Sequence, residues 1–406
     1  MPRNIVFVAP FPADATLRFA RAAARLDDVR LLGVVHTPPQ GDDRRLFHDL
    51  VRITEPLSGQ DIIAGTEVLR RRHGPPDRIV GILEPLMVQL AQARAHFGVE
   101  GTGPKTADLF RDKSRMKLAL AAAGLPVARH CLVESVAQGR VWAEKTGFPL
   151  VLKPPAGMGA KETFRVSSME TLVRALEGLG VSRDRPVLAE EFLVGREFSF
   201  ETVTTQGVPR AHSISHYLPG CLEVLETPWI QWCCMLPRDI SGPAYDEARR
   251  IGFGAIKALG LGDGMTHMEW FERADGSVAI GEIAQRPPGA CISLMTGLVH
   301  DIDPYRAWAR AVIDGEFDGP WERKFAAGTA FIRGVGHGRV AQVTGVHETY
   351  EAIGRHIVEA RLPTLGAPKN DSYEGDGTIV VRHPTTEGVQ AMLKTIVETI
   401  RIRYAG

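Results

Sequence analysis

The chain's 406 residues, 44% hydrophobic and 24% charged, suit a folded protein of two or three domains with proper cores. Its 48 Lys plus Arg balance 48 Asp plus Glu, so net charge gives no pull toward nucleic acid or a membrane surface. Five cysteines without a C-x-x-C spacing argue against a disulfide framework or a zinc site, and no stretch approaches the ~20 apolar residues of a membrane helix.

Residues 4–9 read as a buried strand, an apolar run too short for a signal-peptide core. A cytoplasmic location is expected. Asp14–Leu26 reads as a helix, Val29–Val35 as a strand, Gly59–Arg72 as a helix, Asp77–Leu83 as a strand and Glu84–Phe97 as a helix. That alternation implies βαβ units around a parallel sheet. The first βα turn, Pro10 to Asp14, lacks G-x-G-x-x-G, which disfavours a dinucleotide-dependent oxidoreductase. A boundary falls at Gly101–Pro104. One helix is expected over Thr106–Gly124, with Gly124 and Pro126 as its stop.

Strands follow at Val127–Val133, Phe148–Lys153, Phe164–Ser167, Val187–Phe192 and Glu197–Thr205, with helices at Ser135–Thr146 and Met169–Gly178. Ala211–Trp232 is β-like and aromatic, and helices are expected at Tyr245–Leu259 and Asp303–Asp314. From about Phe325 onward, glycine-rich strands, a helix at Thr349–Glu359, a strand at Gly377–Arg382 and a closing helix predict a small α+β region.

Four stretches carry candidate chemistry. Lys113 stands in Phe110-Arg111-Asp112-Lys113-Ser114, ahead of a helical run. Lys153 ends a strand and is followed by a loop holding Gly157, Gly159 and Lys161; such glycines let backbone N–H groups approach a polyphosphate, although the spacing is not that of a Walker A loop. Glu190, Glu191 and Leu193 close a strand that could present backbone groups to an adenine edge, and Glu197 could accept from ribose hydroxyls. Last, Thr266–Phe271 and Ser277–Ile283 flank Ala274-Asp275-Gly276, a hairpin signal that could bring Glu269, Glu282 and Arg286 to one spot. Carboxylate oxygens suit Mg²⁺, and guanidinium suits phosphate or carboxylate. Each stretch alone reads equally well as a solvated charged face or a plain turn.

Taken in order, the four resemble the ATP-grasp superfamily over about residues 106–315, with a layout similar to that of biotin carboxylases. The resemblance implies an α/β, Rossmann-like pre-ATP-grasp domain over 1–105 and an ATP-grasp fold of two α+β subdomains, 106–195 and 196–320, that sandwich ATP. A C-terminal α+β domain over 321–406 completes it. ATP and Mg²⁺ (or Mn²⁺) are the implied cofactors. By the same likeness Lys113 contacts the α-phosphate, and Lys153 with its glycine loop covers the β- and γ-phosphates. The Glu191 carbonyl and Leu193 amide form the adenine hinge with Glu190 alongside, and Glu197 holds the ribose. Glu269 and Glu282 hold the metal, and Arg286 steadies the transferred phosphoryl group.

One departure stands out. The family's hairpin usually ends E-x-N-x-R; here Glu282-Ile283-Ala284-Gln285-Arg286 puts a methyl where an amide oxygen helps hold a second metal, so Gln285 or water would have to substitute. The resemblance implies a ligase joining a small-molecule carboxylate to an amine through an acyl phosphate, with nucleic acid and membrane absent from its partners and a homodimer in keeping with related proteins. The alternatives are a biotin carboxylase-like carboxylase, disfavoured because Arg286 is followed by Pro-Pro-Gly rather than Gln-Val-Glu-His, and an ATP-binding protein without ligase activity. His212, His216, Tyr217, Trp229, Trp232 and His267 fall where substrate contacts would be expected and receive no role.

Overall fold

A computed structural model describes residues 2–157, 162–227 and 230–406. The N-terminal part is a parallel sheet in the order Asp49–Arg52, Val29–Val35, Arg3–Val8, Arg78–Val80, flanked by helices Asp14–Ala24, Gly59–His73 and Met87–Phe97. Ser58 caps the second helix by accepting from the Asp61 N–H, and Gly98, left-handed, ends the third, the N-cap and C-cap chemistry those residue types favour. The sheet's inner strand Arg3–Val8 is apolar on both faces. One face packs Phe7 and Phe19 against Trp308, with ring centroids 5.9 and 5.2 Å apart. Trp308 lies in helix Pro304–Ala309, so this part shares a core with the middle of the chain.

A second, antiparallel sheet orders His130–Val133, Val187–Glu191, Leu150–Lys153 and Phe164–Val166, and carries helices Val136–Thr146 and Met169–Leu179. The third sheet has eight strands: Val278–Ala284, Gly264–Arg273, Gly195–Thr205, Val208–Leu218, Trp232–Leu236, Ala326–Ile332, Gly377–His383 and Ile357–Arg361. Helices Lys113–Ala122 and Pro243–Leu259 back one of its faces, and Ile292–His300 covers part of the other. Among the described residues no helix is long and apolar enough to cross a membrane.

The architecture is the mixed α/β and α+β arrangement expected, with local differences. The helix predicted over 106–124 is two, Pro104–Arg111 and Lys113–Ala122, because Asp112 leaves helical geometry (φ −92°, ψ 107°) and accepts from the Ser114 and Arg115 N–H groups. Asp competes for backbone donors in this way. The β-like stretch contains helix Cys221–Glu226. Helix Ile292–His300 was not predicted; it is apolar nearly all round and buried, so it shows no amphipathic stripe. The helix expected to reach Glu359 ends at Ile353, and Ile357–Arg361 joins the eight-stranded sheet as its edge. A closing strand, Arg401–Ala405, pairs with Arg339–Thr344.

Candidate active site

The site begins at the hairpin. Asp275 accepts from the Ser277 N–H and hydroxyl, Gly276 takes φ +79°, and the strands they join put Glu269 and Glu282 directly opposite each other. Directly paired residues project to the same face. Glu197 reaches that face from the next strand, where it pairs with Phe271. Its carboxylate accepts from the Cys221 N–H at 2.9 Å, and a Cβ at Gly220 would collide with it. Burial, then the charge of Glu269, pushes the Glu197 carboxyl up to about 8.

Three lysines face these acids. Lys153 ends its strand with Nζ 3.2 Å from Glu190 and 3.7 Å from Glu282. Lys113, first residue of its helix, donates to the Gly157 carbonyl at 2.9 Å and stands 3.4 Å from Glu282. Lys117, one turn on, is wholly buried, donates to the Gly281 carbonyl at 2.6 Å and lies 3.3 Å from Glu190. Burial would raise the Glu282 carboxyl, but the field of Lys113, then Lys153, Lys117 and Arg286, holds it down to about 2. Burial disfavours the Lys153 charge too, yet Glu190 and Glu282 overcome it and lift its pKa above the ordinary lysine range. For Lys117 burial wins and the pKa falls despite Glu190.

Between the sheets lies a cleft of about 620 Å³ walled by Lys153, Glu190–Leu193, Glu197, Glu269 and Phe271. An ion pair, Arg165–Glu226 at 2.7 Å, spans it from the second sheet to helix Cys221–Glu226. Glu190 is clasped by Lys117 and Lys153. The Glu191 side chain turns outward to Arg129 and Arg273, at 2.8 and 3.2 Å, leaving its main chain on the wall. Arg286 stands beyond the carboxylates, its Nε donating to Glu84 of the N-terminal part at 2.8 Å. Gly157 is in place beside Lys113; Gly159 and Lys161 lie outside the described residues.

The donor set suits a hard cation: two opposed carboxylates, with a third nearby whose pKa is raised partly by its neighbours' charge. Among the described residues no group of three His, Cys, Asp or Glu closes a metal site alone, and Mg²⁺ usually takes one or two carboxylates with substrate phosphates completing its shell. Gln285 does not substitute for the missing amide. Its Nε2 donates to Thr102 and its Oε1 is buried without a partner among the described residues. Opposite Ala284 stands His267, whose Nδ1 lies 2.9 Å from Glu201 and whose Nε2 lies 3.2 Å from the Tyr217 hydroxyl and 3.8 Å from Glu269.

Sequence reasoning missed Lys117 and Glu84. The first left a signal, since Lys113 and Lys117 at i,i+4 share a helix face; the second left none. Of the residues given no role, His216 lies 3.0 Å from the Tyr245 hydroxyl and Trp232 stacks on Phe331, both as packing, while His212 stacks on Phe200 with its Nε2 unpartnered among the described residues. Trp229 lies outside the described residues.

Residues 118–291 match the ATP-grasp domain family. It is 32% identical over 252 residues to the L-arginine-specific L-amino acid ligase of Bacillus subtilis, covering 61% of this chain and 60% of that protein. With the D-alanine–D-alanine ligase of Kocuria rhizophila it shares 27% identity over 297 residues, 68% and 70% of the two chains. The fold superposes on a crystal structure of an L-amino acid ligase from Bacillus licheniformis with a TM-score of 0.81 at 18% identity, covering 100% of this chain and 99% of that one. The chain thus spans less than two thirds of the first of these relatives in sequence and nearly the whole of the third in fold.

Proposed function

We propose that this protein is an ATP-dependent ligase that joins a carboxylate to an amine and releases ADP and phosphate. One observation carries the reading: Glu282, directly opposed to Glu269, lies 3.4 and 3.7 Å from Lys113 and Lys153 beside the cleft between two sheets, whose wall carries Lys153 and Glu269. Amino acids are the proposed substrates, by likeness to the two ligases above. In this reading 106–195 is the mobile subdomain, 196–320 the metal-bearing one, 1–105 the domain ahead of them and 321–406 the C-terminal domain. All act in the cytoplasm.

The reaction requires two anions to meet. A substrate carboxylate attacks the γ-phosphorus and the bond to the ADP oxygen breaks; the amine then attacks the carbonyl carbon of the resulting acyl phosphate, the C–O bond to phosphate breaks, and phosphate and the amine's proton are released. Positioning and field supply most of the catalysis in such transfers. The adenine lies against the Glu191 carbonyl and Leu193 N–H beside Glu190, and the ribose on Glu197. Lys113 serves the α-phosphate; Lys153, with Gly157, takes the β- and γ-oxygens, and Gly159 and Lys161 are assigned to the same task by the family likeness alone. Mg²⁺ on Glu269 and Glu282, when bound, spreads the charge of those oxygens. Arg286, oriented by Glu84, offers its remaining N–H groups to the transferred phosphoryl group. Closure of the second sheet over the cleft keeps water from the acyl phosphate.

The test is ADP release with MgATP and single or paired amino acids, with products read by mass spectrometry. One ADP and one phosphate per condensed product is expected. No turnover with any pair, together with no MgATP binding at millimolar concentration, would overturn the proposal.

A further inference from the structure

A second cleft, of about 770 Å³, opens on the eight-stranded sheet and shares no lining residue with the first. It lies beside Ala211, which pairs with Val203, six residues along the same strand from Glu197; at ~3.3 Å per residue the two sites are about 20 Å apart. Four arginines line it, from four separate segments: Arg210, Arg238, Arg249 and Arg323, against one acid, Asp239. Among the described residues Arg249 has a carboxylate partner, Asp246 at 2.6 Å, while Arg210, Arg238 and Arg323 make no ion pair. Asp239 is already engaged by the Ser241 N–H at 2.8 Å.

Arg323 is fixed in place. Its Nε donates to the Pro237 and Arg238 carbonyls at 3.2 and 3.1 Å, and its Nη1 to the Ser213 hydroxyl at 3.1 Å. Burial lowers its pKa to about 10, which leaves it charged at neutral pH. Burial outweighs the opposing fields of Glu201 and Asp239, and a cation desolvated without a contacting counter-ion is costly; it raises the positive potential of the cleft it adjoins. Two imidazoles complete the wall. His300 is 3% exposed with Nδ1 unpartnered among the described residues, and His212 has Nε2 in the same condition. Each can turn an N–H toward an acceptor. Trp321 forms the remaining side.

We propose that this cleft is a second ligand site, built for a small oxyanion carrying two or more negative charges. Planar guanidinium groups from separate segments meet phosphate or carboxylate oxygens equally well, so both kinds of oxyanion are probed. The site stands apart from nucleotide chemistry and holds whether or not the ligase reading does.

Titration calorimetry on the full chain at constant ionic strength, with potassium pyrophosphate and potassium citrate as separate probes, reads it directly. Three proteins are compared: wild type, R210E/R238E, and K153A. One-to-one binding of at least one probe is expected, retained in K153A and weakened roughly ten-fold or more in R210E/R238E; the probe that binds identifies the site as a phosphate or a carboxylate site. Arg210 and Arg238 are exposed, so the charge reversal leaves the core intact, and R210Q/R238Q gives the same reading should the double reversal melt early. Absence of heat with both probes, or binding lost in K153A and kept in R210E/R238E, overturns the proposal.

Discussion

The two clefts on the eight-stranded sheet treat charge in opposite ways. In the first, Lys113, Lys117 and Lys153 are interleaved with Glu190 and Glu282, and Arg286 is held by Glu84. In the second, three arginines have no acidic partner among the described residues. Buried charges tolerate removal from water only when paired. The charges of the first cleft therefore compensate one another, and under the proposed function they would exchange those pairings for a polyanion and a cation entering together. The second is compensated only in part, by Asp239, the Asp246 partner of Arg249 and the field of Glu201, and an anion would complete it.

Breaking the first cleft's pairing has the largest expected effect. Glu282→Gln removes the carboxylate charge between Lys113 and Lys153, the one proposed to hold the metal, and should lower the proposed ligase turnover about 10³-fold, measured as ADP release. Lys117→Met leaves Glu190 with Lys153 as its remaining cationic partner and the buried Gly281 carbonyl without its donor, and should cost about 1–3 kcal/mol of stability in urea unfolding. Glu84→Gln loosens Arg286 without touching the nucleotide wall. Roughly 10–100-fold loss in kcat with KM for ATP nearly unchanged is expected; a matching rise in KM would move Glu84 into the binding site.

The smallest effect sharpens the contrast from the arginine side. Burial, then the charges of Arg196 and Arg323, pushes His216 down to about 4, and burial with neighbouring arginines does the same to His212 and His300. Each folded-state value lies below the ordinary 6.5, so between pH 6.5 and 4 the unfolded chain binds more protons than the folded one. Stability is then present above pH 6.5 and drains away as pH falls toward 4. Each such histidine contributes about 1.4 kcal/mol per pH unit within that window. His216→Gln should flatten the acid limb of the unfolding curve by about that slope; an unchanged slope would mean His216 titrates normally.

Much of the first cleft was legible in the sequence because its residues sit in local patterns: an Asp-Gly turn, a lysine before a glycine loop, an acidic strand end. The turn sets the register only as far as the Trp270–Ile280 pair; a β-bulge at Gly281 then brings Glu282 opposite Glu269, where an unbroken hairpin would have placed it opposite Met268. What escaped was made by contacts distant in sequence. Glu84 meets Arg286 across 202 residues and Lys117 meets Gly281 across 164, distances over which no periodicity speaks. Helix Ile292–His300 escaped because burial on all sides erased its stripe, and Asp112 split a helix that propensity alone would join. The arginine cleft gathers residues from Arg210 to Arg323 and left no motif at all.

The most direct test is a crystal structure with a non-hydrolysable ATP analogue and Mn²⁺. The predicted result is anomalous density for manganese between Glu269 and Glu282, with the β- and γ-phosphates beneath Lys153 and the adenine against Glu191 and Leu193. A nucleotide bound elsewhere, or manganese away from both carboxylates, would contradict the account.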